Sequence, residues 1–475
     1  MPSWCACACA RVAVYACACV LAYACACSSP STPPEDLSVE HEPDLLGYPD
    51  NTVWAVSAGG GGFDGASDIA IDARDNAFIT GQVVGGPCFA ASHGPGGGLN
   101  WVAASVDNGA NHYSNAVAVA PNGDVLVTGN FEGTLKIGGL SATSRGGSDV
   151  FVVRLSSSGK PLWLFSGGGG DEDGGIGIAV DGQGNSFAVG AFNYPGPPLG
   201  GARFGDVTIN ANGLDDLFVL KLDPSGKLLW AVAGGGPGGD FALSAAVASD
   251  GGVIVGGSFY AKMSFGGIEL IGRGDSDFYV ARLSPQGRVI WITAGGGAGH
   301  DGARDVAVEP PRSDSRAQSI FFTASFSGQI KLGEQILTSR GDVDSFVARL
   351  DPKGRLLWAR SSGGVGVDAS NAVTVTSTSI NVVGFFEGRA HFGTTVLDSR
   401  GDDDIFVASY SPDGELRWVT QAGGPDSDGG SGIAAYSDGT LAVTGIFRDH
   451  AYFGRTKLIS QGLTDIFVWR MRPPK

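Results

Sequence analysis

The chain has 475 residues, of which 78 are glycine, and its 48 acidic and 31 basic residues leave a formal net charge of −17. The acidic balance, without any cluster of Lys and Arg, excludes a nucleic-acid backbone as the partner, because phosphate binding depends on clustered cations. Hydrophobic residues make up 43% of the chain, which is enough for a buried core and excludes a wholly disordered protein.

Residues 1–27 are typical of an export leader. They carry one charge, Arg11, ahead of an apolar run from Val12 to Cys27. A spanning helix needs about 20 apolar residues, whereas a short apolar run behind a positive charge is typical of a signal sequence. Residues 28–50 are rich in Pro, Ser and acidic residues and predict an extended tether. We therefore expect an exported protein.

Seven of the eight cysteines lie in this leader, and a cysteine followed by a polar, proline-rich tether resembles a bacterial lipoprotein leader. The resemblance implies lipid attachment at Cys27, which two serines follow, with Cys25 as the alternative. An ordinary cleaved signal, or a leader extended by a wrong start, is the other interpretation. The expected location is the outer membrane or cell surface as a lipoprotein, or the secreted fraction. Cys88, alone in the body of the chain, is predicted to be a buried small hydrophobe.

From residue 51 onward the sequence repeats one pattern of short strands. A Trp strand, an Ala-Val-Ala-Val-like strand, a Val-Thr-Gly-x-Phe-like strand and an Asp-x-Phe-Val strand follow one another, separated by Gly, Asp, Ser or Pro. Runs of four to seven β-branched and aromatic residues predict strands and no helix. Seven tryptophans mark seven repeats: Trp54, Trp101, Trp163, Trp230, Trp291, Trp358 and Trp418.

The Asp-x-Phe-Val strand occurs six times, and its phenylalanines are 60 to 68 residues apart. Such spacing is too long for a helical solenoid. The first repeat lacks this strand and has a Gly- and Pro-rich stretch at residues 85–98 instead, so we expect its outer edge to be eroded. The six copies begin at Asp149, Asp216, Asp277, Asp344, Asp404 and Asp465.

A proline and a glycine separate four of the Asp-x-Phe-Val strands from the next Trp strand, as in Asp351-Pro-Lys-Gly354. Proline presets φ for the second position of a turn and glycine accepts the positive φ that follows, so this segment predicts a hairpin.

These observations predict an all-β fold, a seven-bladed β-propeller over residues 51–475 with about 60 residues per blade. The strand at Trp54 lacks a predecessor and the strand at Asp465 lacks a successor. We expect these two strands to pair and close the ring.

The ordered motifs Gly-Gly-x-x-x-Asp, Val-Ala-Val-Asp-x-x-Gly-Asn, Val-Thr-Gly-x-Phe and Asp-x-Phe-Val-x-Arg-Leu resemble the bacterial SBBP-type β-propeller repeat family over residues 54–471. The resemblance implies a seven-bladed propeller on an exported bacterial protein. It implies no general enzymatic activity and supplies no catalytic residues.

Alternating carboxylates before glycines at Asp171, Asp173, Asp426 and Asp428 are candidate Ca²⁺ ligands. The alternative is turn structure, in which the aspartate of each Asp-x-Phe-Val copy bonds its own backbone as an Asx turn. The glycine runs at 167–170 and 295–297 lack the helix or the Gly-Lys-Ser/Thr ending of a phosphate cradle, and we interpret them as wide loops. No other cofactor is predicted.

The favoured function is a non-enzymatic binding scaffold for a protein, a glycan or a surface polymer. It is expected to be a monomer that meets the membrane only through its N-terminal anchor. An enzyme with a central-channel site built from non-repeated residues is one alternative, and a structural spacer is another. Candidates for such non-repeated residues are His112 and Tyr113, the segment 193–195 and the insertion 310–318.

Overall fold

The repeats fold into groups of antiparallel strands. The structure is a computed structural model, and it describes residues 51–83, 86–193, 201–311 and 318–474. The predicted leader, the tether and the lipidation candidates Cys25 and Cys27 lie outside these residues. Within them, no helix is long and apolar enough to cross a membrane.

The described residues form 34 strands, numbered here in chain order. The first are β1 (Thr52–Ala58), β2 (Asp64–Ile71), β3 (Ala77–Val83), β4 (Cys88–His93), β5 (Leu99–Ala104), β6 (His112–Val119), β7 (Val125–Ile137), β8 (Leu140–Leu155), β9 (Pro161–Gly168), β10 (Asp173–Val180) and β11 (Ser186–Asn193). The next are β12 (Gly201–Phe204), β13 (Val207–Asn210), β14 (Asp215–Leu222), β15 (Leu228–Gly235), β16 (Asp240–Val247), β17 (Val253–Phe265), β18 (Ile268–Leu283), β19 (Val289–Gly297), β20 (Gly302–Val308), β21 (Ile320–Phe326), β22 (Gln329–Leu332) and β23 (Gln335–Thr338). The last are β24 (Asp344–Leu350), β25 (Leu356–Gly364), β26 (Ala369–Val375), β27 (Ile380–Phe392), β28 (Thr395–Tyr410), β29 (Leu416–Ala422), β30 (Gly429–Ala435), β31 (Leu441–Phe447), β32 (His450–Phe453), β33 (Thr456–Ile459) and β34 (Asp465–Met471).

Seven groups of four strands pair antiparallel, and we call each group a unit. Units 1 and 2 are β2-β3-β4-β5 and β6-β7-β8-β9. Units 3 and 4 are β10-β11-β14-β15 and β16-β17-β18-β19. Units 5 and 6 are β20-β21-β24-β25 and β26-β27-β28-β29. Unit 7 is β30-β31-β34-β1.

The core lies between neighbouring units. In the third strand of unit 3, β14, every residue after the first is buried, which is expected when both faces of a sheet are covered. Phe187 and Val189 of unit 3, for example, belong to one apolar cluster with Val253 and Val255 of unit 4. The first strands of successive units are in contact, and β30 of unit 7 contacts β2 of unit 1.

The first strand in the chain completes the last unit. β1 pairs antiparallel with β34, so that Val56 lies opposite Val468. The Nε1 of Trp469 donates a hydrogen bond of 2.9 Å to the hydroxyl of Thr52, which in turn donates 2.7 Å to the carbonyl of Phe453. This pairing of the chain's two ends is the one that the sequence predicts.

The prediction of an eroded edge in the first repeat is wrong. β4 occupies the place of the missing strand and pairs with β3, with Phe89 opposite Gly81, just as Phe151 lies opposite Gly129 in unit 2. The strand forms because ladder hydrogen bonds use the backbone, which does not depend on the motif's aspartate. Cys88, in β4, is buried as predicted.

The predicted Pro-x-Gly hairpin is present, and it also joins neighbouring units. Gly354 has φ 81° and donates its N–H to the carbonyl of Asp351 at 2.9 Å. The carbonyl of the second residue in each turn at this position accepts a hydrogen bond from a Trp indole of the preceding unit, and in unit 2 this residue is a serine. These pairs are Trp54 with Pro95, Trp101 with Ser157, Trp163 with Pro224, Trp230 with Pro285, Trp291 with Pro352, and Trp358 with Pro412.

Candidate functional site

The first strands of all seven units line one cavity of about 310 Å³. Each of these strands has a β-bulge at the same place in its pairing with the second strand, and a bulge redirects the side chain of its extra residue. We call these seven extra residues the bulge ring. Its members, in unit order, are Ser67, Asn115, Ile176, Leu243, Arg304, Asn371 and Ser431.

The bulge ring is apolar on one side and polar on the other. Ile176 and Leu243 come from adjacent units 3 and 4, and the other five members are polar. Asn371 donates its Nδ2 to the carbonyl of Gly430 at 2.8 Å, which fixes the amide. Its Oδ1 is buried and has no hydrogen-bond partner in the described part of the chain.

In units 1 and 5, the residue directly after the bulge-ring residue in the chain is an aspartate. Asp68 accepts hydrogen bonds from the N–H of Ile69 (2.7 Å) and from that of Val117 in unit 2 (2.9 Å). Asp305 accepts from the hydroxyl of Ser244 in unit 4 (2.6 Å) and from the N–H of Val373 in unit 6 (2.7 Å). The corresponding residues of the other units are small: Ala116, Gly177, Ser244, Ala372 and Gly432.

Both carboxylates have perturbed acidity. Burial raises the pKa of Asp68 to about 7, the hydrogen bond from Val117 opposes the rise, and the charge of Asp305 adds to it. Burial likewise raises the pKa of Asp305. Asp68 can therefore take up or release a proton near neutral pH, which is the property of a general acid or base.

The non-repeated residues singled out from the sequence do not meet at this cavity. His112 is buried between units 1 and 2, with its Nδ1 3.1 Å from the hydroxyl of Ser105, and neither His112 nor Tyr113 lines the cavity. Residues 194 and 195 and most of the insertion 310–318 lie outside the described residues. Sequence reasoning missed Asp68 and Asp305. Comparing the seven repeats position by position would have found them, because only these two repeats place a carboxylate after the bulge.

The four calcium candidates divide into two kinds. Asp173 and Asp428 are buried, whereas Asp171 and Asp426 are half-buried in the preceding loops. Across the part of the chain that the structure describes, no three His, Cys, Asp or Glu side chains come together as a group that could hold a metal ion. Calcium binding at these residues stays a prediction.

The Asx-turn interpretation of the Asp-x-Phe-Val aspartates is wrong, because the backbone donor lies before the aspartate in the chain and not after it. An Asx turn takes a donor that follows the aspartate. Here the donor is the backbone N–H four residues earlier, as in Arg145 to Asp149 at 3.2 Å and Gln461 to Asp465 at 3.1 Å.

These aspartates instead face a second aspartate at the start of the next unit, and we call each such couple a junction pair. A glycine lies between the two carboxylates, and a Cβ on Gly168 would be 2.6 Å from an oxygen of Asp149 and of Asp173. Between units 1 and 2, Pro87 and His112 take the places of the pair. The six junction pairs are Asp149/Asp173, Asp216/Asp240, Asp277/Asp301, Asp344/Asp368, Asp404/Asp428 and Asp465/Asp64.

The junction pairs correct the interpretation of the glycine runs as wide loops. Gly167 and Gly168 end β9, and the run at 295–297 ends β19. They are glycines because aspartates and the aromatic side chain of Phe204 occupy the space of a Cβ. Gly167, Gly168 and residues 295–297 are therefore tightly packed strand ends, whereas Gly169 and Gly170 lie in the loop after β9.

No protein family matches the chain, and no curated protein matches it. Solved structures similar in fold include the leech intramolecular trans-sialidase, with a TM-score of 0.38 and 10% identity over 90% of this chain and 70% of that one. They also include rhamnogalacturonan lyase YesW, with a TM-score of 0.29 and 11% identity over 78% of this chain and 60% of that one. A puromycin hydrolase has a TM-score of 0.31 and 12% identity over 81% of this chain and 58% of that one.

The fold class of the described residues is all-β and β-propeller-like, because they form seven units of four antiparallel strands around one cavity. The comparison corrects the prediction that the chain is not an enzyme, because the three named neighbours are a trans-sialidase, a lyase and a hydrolase. An architecture of this kind does not exclude catalysis. At these identities and TM-scores, the activities of the three neighbours remain statements about those proteins.

Proposed function

We propose that the chain is an exported seven-bladed β-propeller that binds a ligand in the cavity at the centre of its ring. Each four-stranded unit is one blade, and the first strands are the inner strands. Three observations support a closed ring: the cyclic contacts of the inner strands, the pairing of β1 with β34, and the hydrogen bond from Trp54 of unit 7 to Pro95 of unit 1.

The observation that carries the binding function is the bulge ring. Residues from all seven blades, including the carboxylates Asp68 and Asp305, line one cavity. Ligand pockets typically measure about 300–1,000 Å³, so this cavity suits one residue or end group rather than a long segment. The ligand we propose is a hydroxyl- or ammonium-bearing end of a protein, a glycan or a surface polymer.

The sequence motifs support the wider assignment. The leader favours export, and the ordered repeat motifs favour membership of the SBBP-type propellers. We propose anchoring through Cys27, with Cys25 as the alternative. A monomer suffices for this function, because all seven bulge residues come from one chain.

Filling the cavity tests the binding site. Leu243→Trp places a bulky ring in the cavity, and Leu229→Trp is the matched control because Leu229 is 50% exposed on the outer strand of unit 3. Glycan and peptide fragments of the source envelope are screened by thermal shift against both variants and the wild type. A ligand that binds the wild type and the control but not Leu243→Trp supports the proposal. A ligand that binds all three equally contradicts a cavity site.

A second candidate function is catalysis in the same cavity. Asp68 favours it, because its pKa of about 7 and its place in the same cavity as Asp305 suit proton transfer. Asp68→Asn separates the two functions. Loss of turnover of a bound fragment with binding retained supports an enzyme, whereas a wild type that binds the fragment without converting it supports a scaffold.

A further inference from the structure

The junction pairs place two buried carboxylates from neighbouring units against one backbone segment. Asp216 of β14 and Asp240 of β16 are both fully buried. Gly235 and Gly236 lie between them, and a Cβ on Gly235 would overlap the carboxylate of Asp216. The two carboxylates therefore face the same glycine segment.

This pair has too few hydrogen-bond donors for two ionised carboxylates. The N–H of Gly236 donates to Oδ2 of Asp240 at 2.7 Å, and the same N–H also faces Asp216. Oδ2 of Asp216 accepts from the N–H of Asn212. The backbone N–H of Tyr260 also faces Asp240. The Oδ1 atoms of Asp216 and Asp240 are nevertheless both buried without a hydrogen bond of ordinary geometry among the described residues.

Two buried negative charges with unsatisfied oxygens are costly, and the cost falls when one carboxylate takes up a proton. A protonated carboxyl also becomes a donor, which an adjacent carboxylate can accept. The charged neighbours of this pair strengthen the effect, since Asp215 adds a further negative charge beside both residues. Tyr279 also lies near Asp240, and its hydroxyl donates to the carbonyl of Phe241.

Buried Oδ1 atoms without a partner among the described residues recur at each of the other five junctions. In the pairs Asp277/Asp301 and Asp344/Asp368, Oδ1 of Asp277, of Asp344 and of Asp368 is buried without a partner in the described chain. Arginines partly offset the negative charge here, since Arg273 lies beside Asp277 and an Nη of Arg340 is 3.9 Å from Asp344. Asp301 is flanked by His300, which faces Asp275.

Glu387 is the remaining charged neighbour, and it lies beside Asp368. The pKa values of these aspartates agree with this geometry. Burial raises the pKa of Asp240, Asp301 and Asp368 to about 7, and the facing aspartate adds to each rise.

We propose that the junction pairs Asp216/Asp240, Asp277/Asp301 and Asp344/Asp368 are proton-binding sites, in which one proton held between two aspartates of neighbouring units favours their association, so that mildly acidic surroundings stabilise the ring. This proposal does not depend on any ligand of the central cavity. The direction of the pH effect follows from linkage. A carboxyl with a folded-state pKa of about 7 and an unfolded-state pKa of 3.8 takes up a proton when the chain folds at any pH between these two pKa values. Its stabilising contribution is complete below the unfolded value and is lost as the pH rises through 7.

Urea unfolding of the full chain between pH 5 and 8 tests this proposal. The unfolding equilibrium constant of the wild type should increase with pH, and each proton taken up on folding contributes up to about tenfold per pH unit. Asp216→Asn keeps an acceptor for Asn212 and offers an N–H to Asp240, so it imitates the protonated acid. In this variant, we expect the unfolding equilibrium constant to rise less steeply with pH than in the wild type, by up to about tenfold per pH unit. Asp413→Asn, at an exposed turn position, is the matched control and should keep the wild-type dependence.

Infrared difference spectroscopy provides a second readout that does not depend on stability. The wild type at pH 6.5 should show the carbonyl band of a protonated, buried carboxylic acid, and the band should weaken in Asp216→Asn but not in Asp413→Asn. A stability that is flat or rises between pH 5 and 8, or the absence of this band, would overturn the proposal. So would a stabilisation by Ca²⁺ at pH 8 that Asp216→Asn abolishes, because the pair would then be a cation site.

Discussion

The indole Nε1 of Trp163 donates a hydrogen bond of 3.0 Å to the carbonyl oxygen of Pro224, which belongs to the next unit. The turn glycine Gly226, with φ 86°, packs on the same indole, where a Cβ would lie 2.7 Å from a ring carbon. The repeated Trp and the repeated Pro-x-Gly turn are therefore two halves of one contact between units.

Trp163→Phe should lower the free energy of unfolding by about 1–2 kcal/mol, because it removes the hydrogen bond to Pro224 and part of the packing on Gly226. Urea unfolding measures this loss. The matched control is Leu162→Ala on the same strand, where the side chain is 45% exposed and the change should stay within about 0.5 kcal/mol. An equal loss of unfolding free energy in the two variants would contradict a stabilising contribution from the contact between Trp163 and the turn.

Gly423→Ala should destabilise the protein by about 3 kcal/mol. Gly423 has φ 151°, a conformation that favours glycine, and a Cβ there would lie 2.5 Å from Oδ1 of Asp404. Gly182→Ala is the control, because a Cβ at Gly182 meets no atom within 4 Å. Chemical unfolding of both variants checks the prediction, which fails if Gly423→Ala is as stable as the control.

Removal of β1 should lower stability sharply. A chain that starts at residue 60 loses the ladder between β1 and β34, the bond from Trp469 to Thr52, and the bond from Trp54 to Pro95. At about 1 kcal/mol for each hydrogen bond lost, we expect a loss of roughly 5 kcal/mol or more. Calorimetry should compare it with a chain that starts at residue 51, and identical melting of the two would exclude a closing role for β1.

Asp68→Ala should cost about 1–3 kcal/mol, because it leaves the N–H of Val117 without its acceptor. Asp68→Asn keeps an acceptor and should cost less. Since burial raises the pKa of Asp68 to about 7, the wild type loses stability as the pH rises through this value. The stability difference should therefore shift in favour of Asp68→Asn between pH 5 and 8, as measured by urea unfolding. A difference that is constant over this range would contradict the raised pKa.

Local features were predictable from the sequence. The turn at Asp351 to Gly354 forms because proline and glycine have restricted and permissive φ values, which act within four residues. The pairing of the strands at Trp54 and Asp465 was predictable because the repeat left each of them without its usual neighbour. The eroded edge was a wrong prediction, because a strand such as β4 can form on backbone pairing without the motif's aspartate.

The residues of the candidate site were harder to predict from the sequence. Asp68 and Asp305 are about 240 residues apart in the chain, and only the arrangement of the inner strands brings their side chains to one cavity. Aspartate is a residue type that is common in turns, so the aspartate of each Asp-x-Phe-Val copy was interpreted as a turn residue. The second aspartate that it faces lies in another unit.

By itself, the sequence determined the strand order and the sevenfold repetition, because these depend on steric preferences and apolar patterns that act over a few residues. It also determined the pairing of β1 with β34, because the repeat leaves each of these two strands without its usual neighbour. The tertiary structure decided which repeated residues meet, namely Trp163 with Pro224 and Asp216 with Asp240. Their partners belong to neighbouring units, so burial, shared donors and raised pKa values arise only when the units pack side by side.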